Sequence, residues 1–239
     1  MRRIAIVYCL VLALLGLAFA GFFVFFKLRG PRGEPPAPSA KARSAENFWR
    51  WFSANEVAFA NAVRAQGATA AVDIVEKTSA RLGRVCGPAV VGEVALPDSP
   101  ADRPALVVSA NGSVAQFPCV EALVKEAPPL REWKVVAFRQ RRPMDWSLDL
   151  AGVRLTAAQL AFRETGRHDG KVDLEVLVPG YSPSDEDRVL EALFVYLDAL
   201  VGERDVEQKI GAIELVPDQG RASPPSRPLT DLPQLVDSL

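Results

Sequence analysis

The residues best suited to chemistry in this chain are three carboxylates and three arginines. Asp198, Glu203 and Asp205 cluster around the end of an apolar helical pattern, while Arg139, Arg141 and Arg142 crowd a strand exit in Arg139-Gln140-Arg141-Arg142. Paired carboxylates run general acid–base chemistry when their surroundings push their pKa values apart. Carboxylates near a helix C-terminus oppose its dipole, by roughly 0.3–1 kcal/mol each when exposed. Such local rule-breaking marks candidate functional positions. Asp198 is also one helical turn from Phe194, beside the apolar face. The arginine run suits an acidic partner, or pairing with those same carboxylates. These six residues form the candidate partner-binding set.

Other chemistries lack the residues they need. His168 is the single histidine, in Arg167-His168-Asp169-Gly170 at an expected hairpin tip. Asp169 is its sequence neighbour, which does not give triad geometry, so His168 reads as a solvated turn residue. No G-x-S-x-G elbow and no glycine-rich phosphate loop is present. One histidine and the widely spaced Cys86 and Cys119 match no metal-ligand pattern, and no D-x-D-x-D-G loop occurs. No catalytic residue, metal or cofactor is therefore assigned. The Ser109–Ser113 loop, before a helix start, is a weaker anion-binding candidate. Cys86 and Cys119 are expected as buried free thiols, or as a pair if the domain faces an oxidising compartment.

The elements that must position these groups follow from periodicity and punctuation. Ser44 opens a helix to about Gln66, with Phe48, Trp49, Phe52, Phe59 and Val63 on its buried stripe. Thr69 opens a second helix that Gly83 ends. Ala89–Leu96 and Ala105–Ala110 read as antiparallel strands around a turn-rich loop. Asn111-Gly112 is a tight turn, and Ser113-Val114-Ala115-Gln116 is a capping box opening a helix to about Glu126. Trp133–Arg139 is a strand, Leu148–Leu155 a weaker one, and Leu160–Thr165 with Lys171–Val178 a hairpin. Ser182-Pro183-Ser184-Asp185 starts a strong helix that Gly202 ends, and Ile210–Val216 is the last strand. The order predicts an α+β domain, a mostly antiparallel sheet with helices on one face, over residues 45–239.

Ahead of it, residues 4–26 form an unbroken apolar run in which 15 of 23 residues are Leu, Ile, Val or Phe. At about 1.5 Å per residue such a run spans a hydrocarbon core of about 30 Å, so one transmembrane helix and a bilayer contact are expected there. Residues 27–44, with Pro31, Pro35, Pro36 and Pro38, read as a semi-stiff linker. Arginine and lysine on the two flanks lean toward a cytoplasmic position for the domain, behind a single membrane crossing.

Of the chain's 28 basic and 29 acidic residues, 21 and 28 respectively fall in residues 45–239. That acidic surplus argues against nucleic acid as a partner, since phosphates need Lys and Arg to neutralise them.

Four stretches carry a resemblance: Phe48-Trp49-Arg50-Trp51-Phe52, Val107–Gly112, Ala127-Pro128-Pro129-Leu130 through Trp133 to Phe138-Arg139, and Leu193–Asp205. Together they resemble uncharacterised bacterial α+β domains of unknown function across about residues 46–216. The resemblance implies that fold and brings no catalytic residues, and the apolar N-terminal run lies outside it. The resulting expectation is a membrane-anchored, non-catalytic binding or scaffold domain with a protein partner. The alternatives are a carboxylate-dependent enzyme acting on a carbohydrate or phosphate-containing substrate, and an envelope-assembly module.

Overall fold

The computed structural model describes residues 38–97, 99, 102–143, 147–150, 152–218 and 225–239. The chain divides into two compact units, one ending at Ala137 and one running from Phe138 to Leu239.

In the first unit, helices α1 (Pro38–Gln66) and α2 (Ala68–Cys86) precede a sheet. Helix α1 begins at Pro38, ahead of the expected Ser44, so part of the expected linker is helical. The apolar stripe of α1 is buried at Phe48, Trp49, Phe52 and Val63. Its rings meet edge-on: Phe52 lies 5.4 Å from Trp133, at an interplanar angle of 81°, a geometry favoured by the ring quadrupoles. Two indole N–H groups tie the aromatic cluster to backbone, Trp49 Nε1 donating to Leu123 O and Trp133 Nε1 to Glu56 O, each at 2.9 Å.

Helix α2 runs past Gly83 to Cys86 and ends at Gly87 (φ 113°). It lies close against β1 (Val91–Ala95) because Gly92 has no side chain. A Cβ there would stand 2.6 Å from Thr78 Oγ1 and 3.0 Å from Thr78 Cβ. Ser79 Oγ accepts from Gly92 N at 3.0 Å, so a helix covers the sheet's edge strand and satisfies a backbone group that would otherwise invite another strand. β1 pairs antiparallel with β2 (Ala105–Ser109), and β2 pairs parallel with β3 (Lys134–Ala137). The parallel step is reached through α3 (Phe117–Lys125), in the manner of a crossover connection.

Asn111 (φ 49°) and Gly112 (φ 78°) form the expected tight turn. The capping box does not form. Ser113 makes no side-chain cap, a 3-10 turn at Val114–Gln116 precedes α3, and the Gln116 amide lies against Gly87, where a Cβ would stand 3.0 Å from Nε2.

The second unit holds a hairpin of β4 (Ser147–Leu150) and β5 (Val153–Thr156), so the expected single strand turns back on itself. Its main sheet has the order β8-β7-β6-β9, formed by Ile210–Pro217, Lys171–Val178, Ala161–His168 and Arg227–Pro228. β6 and β7 are antiparallel and joined through Asp169-Gly170, both left-handed; β7 and β8 are parallel. β7 buries Val172, Leu174 and Val176 while Asp173 and Glu175 stay half-exposed, as its alternation predicts. Helices α4 (Glu186–Val201) and α5 (Glu203–Lys209) carry the chain from β7 to β8, and α6 (Leu232–Asp237) closes it.

Three expectations are corrected. The fold is α+β, but the described residues form three separate sheets in two units, and two of those sheets contain parallel pairs. Periodicity sets which face of a strand is buried and leaves its neighbour open. The expected transmembrane helix, residues 4–26, lies outside the described residues. Among the described residues no helix is long and apolar enough to cross a membrane; the longest, α1, carries Glu46, Arg50, Glu56 and Arg64. The membrane and signal-anchor reading is therefore not carried forward. Lastly, Cys86 and Cys119 are joined as a disulfide with a Cα–Cα separation of 5.6 Å, not held as free thiols.

Candidate functional site

A helix of 16 residues ending at Val201 leaves its last carbonyls without intrahelical donors. The segment leaving β3 supplies them. Arg142 N donates to Ala199 O at 2.7 Å, and Arg141 Nε donates to Val201 O at 2.7 Å. Gly202 N closes on Asp198 O at 2.9 Å. The basic run is thus a C-terminal cap for α4, placing cationic side chains where the helix dipole favours them.

Gly202 (φ 91°) breaks the helix and a new one starts at once. This reverses the dipole argument drawn from sequence. Glu203 and Asp205 stand in the first turn of α5, where negative charge is favoured. Of the three candidate carboxylates only Asp198 stays in the last turn of α4.

Arg139, Asp198 and Glu203 come together inside the unit. Arg139 Nη1 donates to Asp198 Oδ2 at 2.7 Å. The Arg139 backbone N–H donates to Glu203 Oε2 at 3.0 Å, and Glu203 N donates back to Arg139 O at 3.0 Å. Arg139, Asp198 and Glu203 are 9%, 7% and 0% exposed. Glu203 Oε1 is buried without a hydrogen-bond partner among the described residues. Just before the cluster, Phe138 holds φ 63°, a left-handed conformation that bulky residues rarely adopt. Burial pushes the Asp198 carboxyl up to about 7; the Arg139 guanidinium opposes that rise, while Glu203 and Glu207 add to it.

Arg141 works nearer the surface. Its Nη2 reaches Asp205 Oδ2 and Asp237 Oδ1, both at 2.6 Å, and its Nη1 reaches Asp237 Oδ2 at 2.9 Å. These hydrogen bonds hold the Asp237 carboxyl below the usual range and raise the guanidinium. Arg142 is half-buried. The six candidate residues therefore occupy one region, divided into a buried trio and a partly exposed group. Sequence reasoning missed Asp237, which stands at the end of α6; the helical spacing of Leu232, Leu235 and Val236 was the available signal.

The other candidates are also placed. His168 Nδ1 lies 3.2 Å from Asp173 Oδ2 on the neighbouring strand, and Asp173 Oδ1 accepts from Ala212 N at 2.7 Å. In the Ser109–Ser113 loop, Ser109 Oγ accepts from Asn111 N at 2.9 Å. Cys119 is consumed by the disulfide. Among the described residues no group of His, Cys, Asp and Glu is arranged to hold a metal ion. No protein-family model, no curated protein and no solved structure matches this chain.

Proposed function

We propose that this protein is a non-catalytic, protein-binding module that works in an oxidising compartment. The observation that carries the reading is the closed pairing of Arg139 with Asp198 and Glu203, all at or below a tenth exposed. The residues with the strongest chemical potential are thereby turned into structure. What they leave at the surface is a mixed-charge patch of Arg141, Asp205 and Asp237, suited to a polar protein surface and too balanced for nucleic acid. The Cys86–Cys119 disulfide supports an oxidising compartment over the cytoplasmic side, since such bonds are rare where thiols are kept reduced.

A carboxylate-dependent enzyme is the second reading. It draws on Asp198, whose carboxyl at about 7 is poised for proton transfer next to Glu203. The low exposure of both carboxylates weighs against substrate contact.

The test uses Asp237→Ala, which opens the patch and leaves Arg141 on Val201 O and Asp205. Exposed pairs contribute about 0–1 kcal/mol, so the fold should survive. Partners captured by the wild type and identified by mass spectrometry should be lost by this variant at nearly unchanged thermal stability. An unchanged set of captured proteins would contradict the patch assignment.

A further inference from the structure

The buried trio sits at the junction of two helices. Asp198 lies on the last turn of α4, Gly202 (φ 91°) breaks the chain between helices, and Glu203 opens α5. Glu203 holds the Arg139 backbone at two points, through Oε2 and through its own N–H. Helix α5 is seven residues long, too short to persist on propensity alone, so its placement depends on such anchors.

The charges at this junction are uneven. The ionisable groups acting on Asp198 are Arg139 from the strand exit and Glu203 and Glu207 from α5. Within the buried trio the Arg139 guanidinium pairs with Asp198, whereas Glu203 accepts from the Arg139 backbone N–H, and its other carboxylate oxygen, Oε1, has no hydrogen-bond partner among the described residues. Two buried negative charges close to one guanidinium are costly, and a proton on Asp198 removes one of them.

We propose that the Arg139–Asp198–Glu203 cluster is a proton-operated latch: a proton on Asp198 keeps α5 docked, and its loss releases the α5 end of the Gly202 junction. The carboxyl of Asp198, pushed up to about 7 by burial, sets the range in which this happens. The native state binds this proton more tightly than an unfolded aspartate does. Stability is therefore highest below the unfolded aspartate range, falls as pH rises, and has lost this contribution above about 7.

Amide hydrogen exchange on the full chain, corrected for intrinsic rates between pH 5 and 8.5, reads the latch. Protection across Glu203–Lys209 should fall by up to about tenfold per pH unit below the midpoint and level off above it, while α2 in the first unit stays flat. Asp198→Asn keeps a carbonyl facing Arg139 and removes the titration, so protection there should be high and independent of pH. Glu203→Gln should move the carbon-13 carboxyl titration of Asp198 to lower pH by about one unit or more, the carboxylate it removes being one that raises Asp198. That titration in the wild type gives a direct reading even if Asp198→Asn does not fold. Wild-type protection that ignores pH, an Asp198 carboxyl that titrates in the ordinary aspartate range, or a pH dependence unchanged in Asp198→Asn would each overturn the proposal.

Discussion

The two units use the same chain path and secure it by opposite means. In each, two antiparallel strands are followed by a helical crossover to a third, parallel strand: β1-β2-α3-β3 in the first and β6-β7-α4-α5-β8 in the second. The first crossover is fixed covalently and by an indole hydrogen bond. Cys119 on α3 is bonded to Cys86 on α2, and Trp49 donates to Leu123 O on the same crossover helix. The second crossover buries the apolar face of α4 and is fixed at its Gly202 junction by charge, through Arg139, Asp198 and Glu203. The contrast teaches that one topology can be tied to two different variables, redox state in one unit and proton activity in the other.

The comparison is broken most severely by unpairing the second unit. Arg139→Met leaves Asp198 and Glu203 buried with no guanidinium and should cost about 3–5 kcal/mol, read by urea unfolding near pH 7. The corresponding break in the first unit is Cys86→Ser with Cys119→Ser. In the chain-entropy model the cross-link over 33 residues contributes about 3–4 kcal/mol. The double variant should lose that much at every pH, and the wild type should lose it on reduction. A smaller change sharpens the contrast further. Trp49→Phe keeps the ring in the aromatic cluster, leaves Leu123 O without its donor, and should cost about 1–3 kcal/mol without altering the pH profile.

The sequence made some of this visible. The stripe of α1, the alternation of β7 and the Asn111-Gly112 and Asp169-Gly170 turns follow from local chemistry, and the structure has them where spacing places them. The two antiparallel pairings between sequence neighbours, β1 with β2 and β6 with β7, are legible as well; the parallel pairings and the disulfide are not, because they depend on which distant elements meet. Cys86 and Cys119 lie on different helices, and only the packing of those helices brings their Cα atoms within 5.6 Å. The candidate site was half legible. Its six residues were named and do share one region, yet their roles turned on a single residue. Gly202 was read as a stop, when it is a stop and a restart. The restart moves Glu203 and Asp205 from an unfavourable helix end to a favourable helix beginning. The arginine run likewise reads as a loose basic loop until α4 is seen to need donors for its last carbonyls.

The most direct test of the central claim, that the buried charges hold one another and not a ligand, is a double-mutant cycle on Arg139 and Asp198. Arg139→Met and Asp198→Leu should each destabilise the protein, since each removes one side of the buried 2.7 Å pair. Combined, they should restore stability relative to the sum of the single losses, with a coupling of about 1–3 kcal/mol. A double variant that loses the full sum of the two would contradict the account.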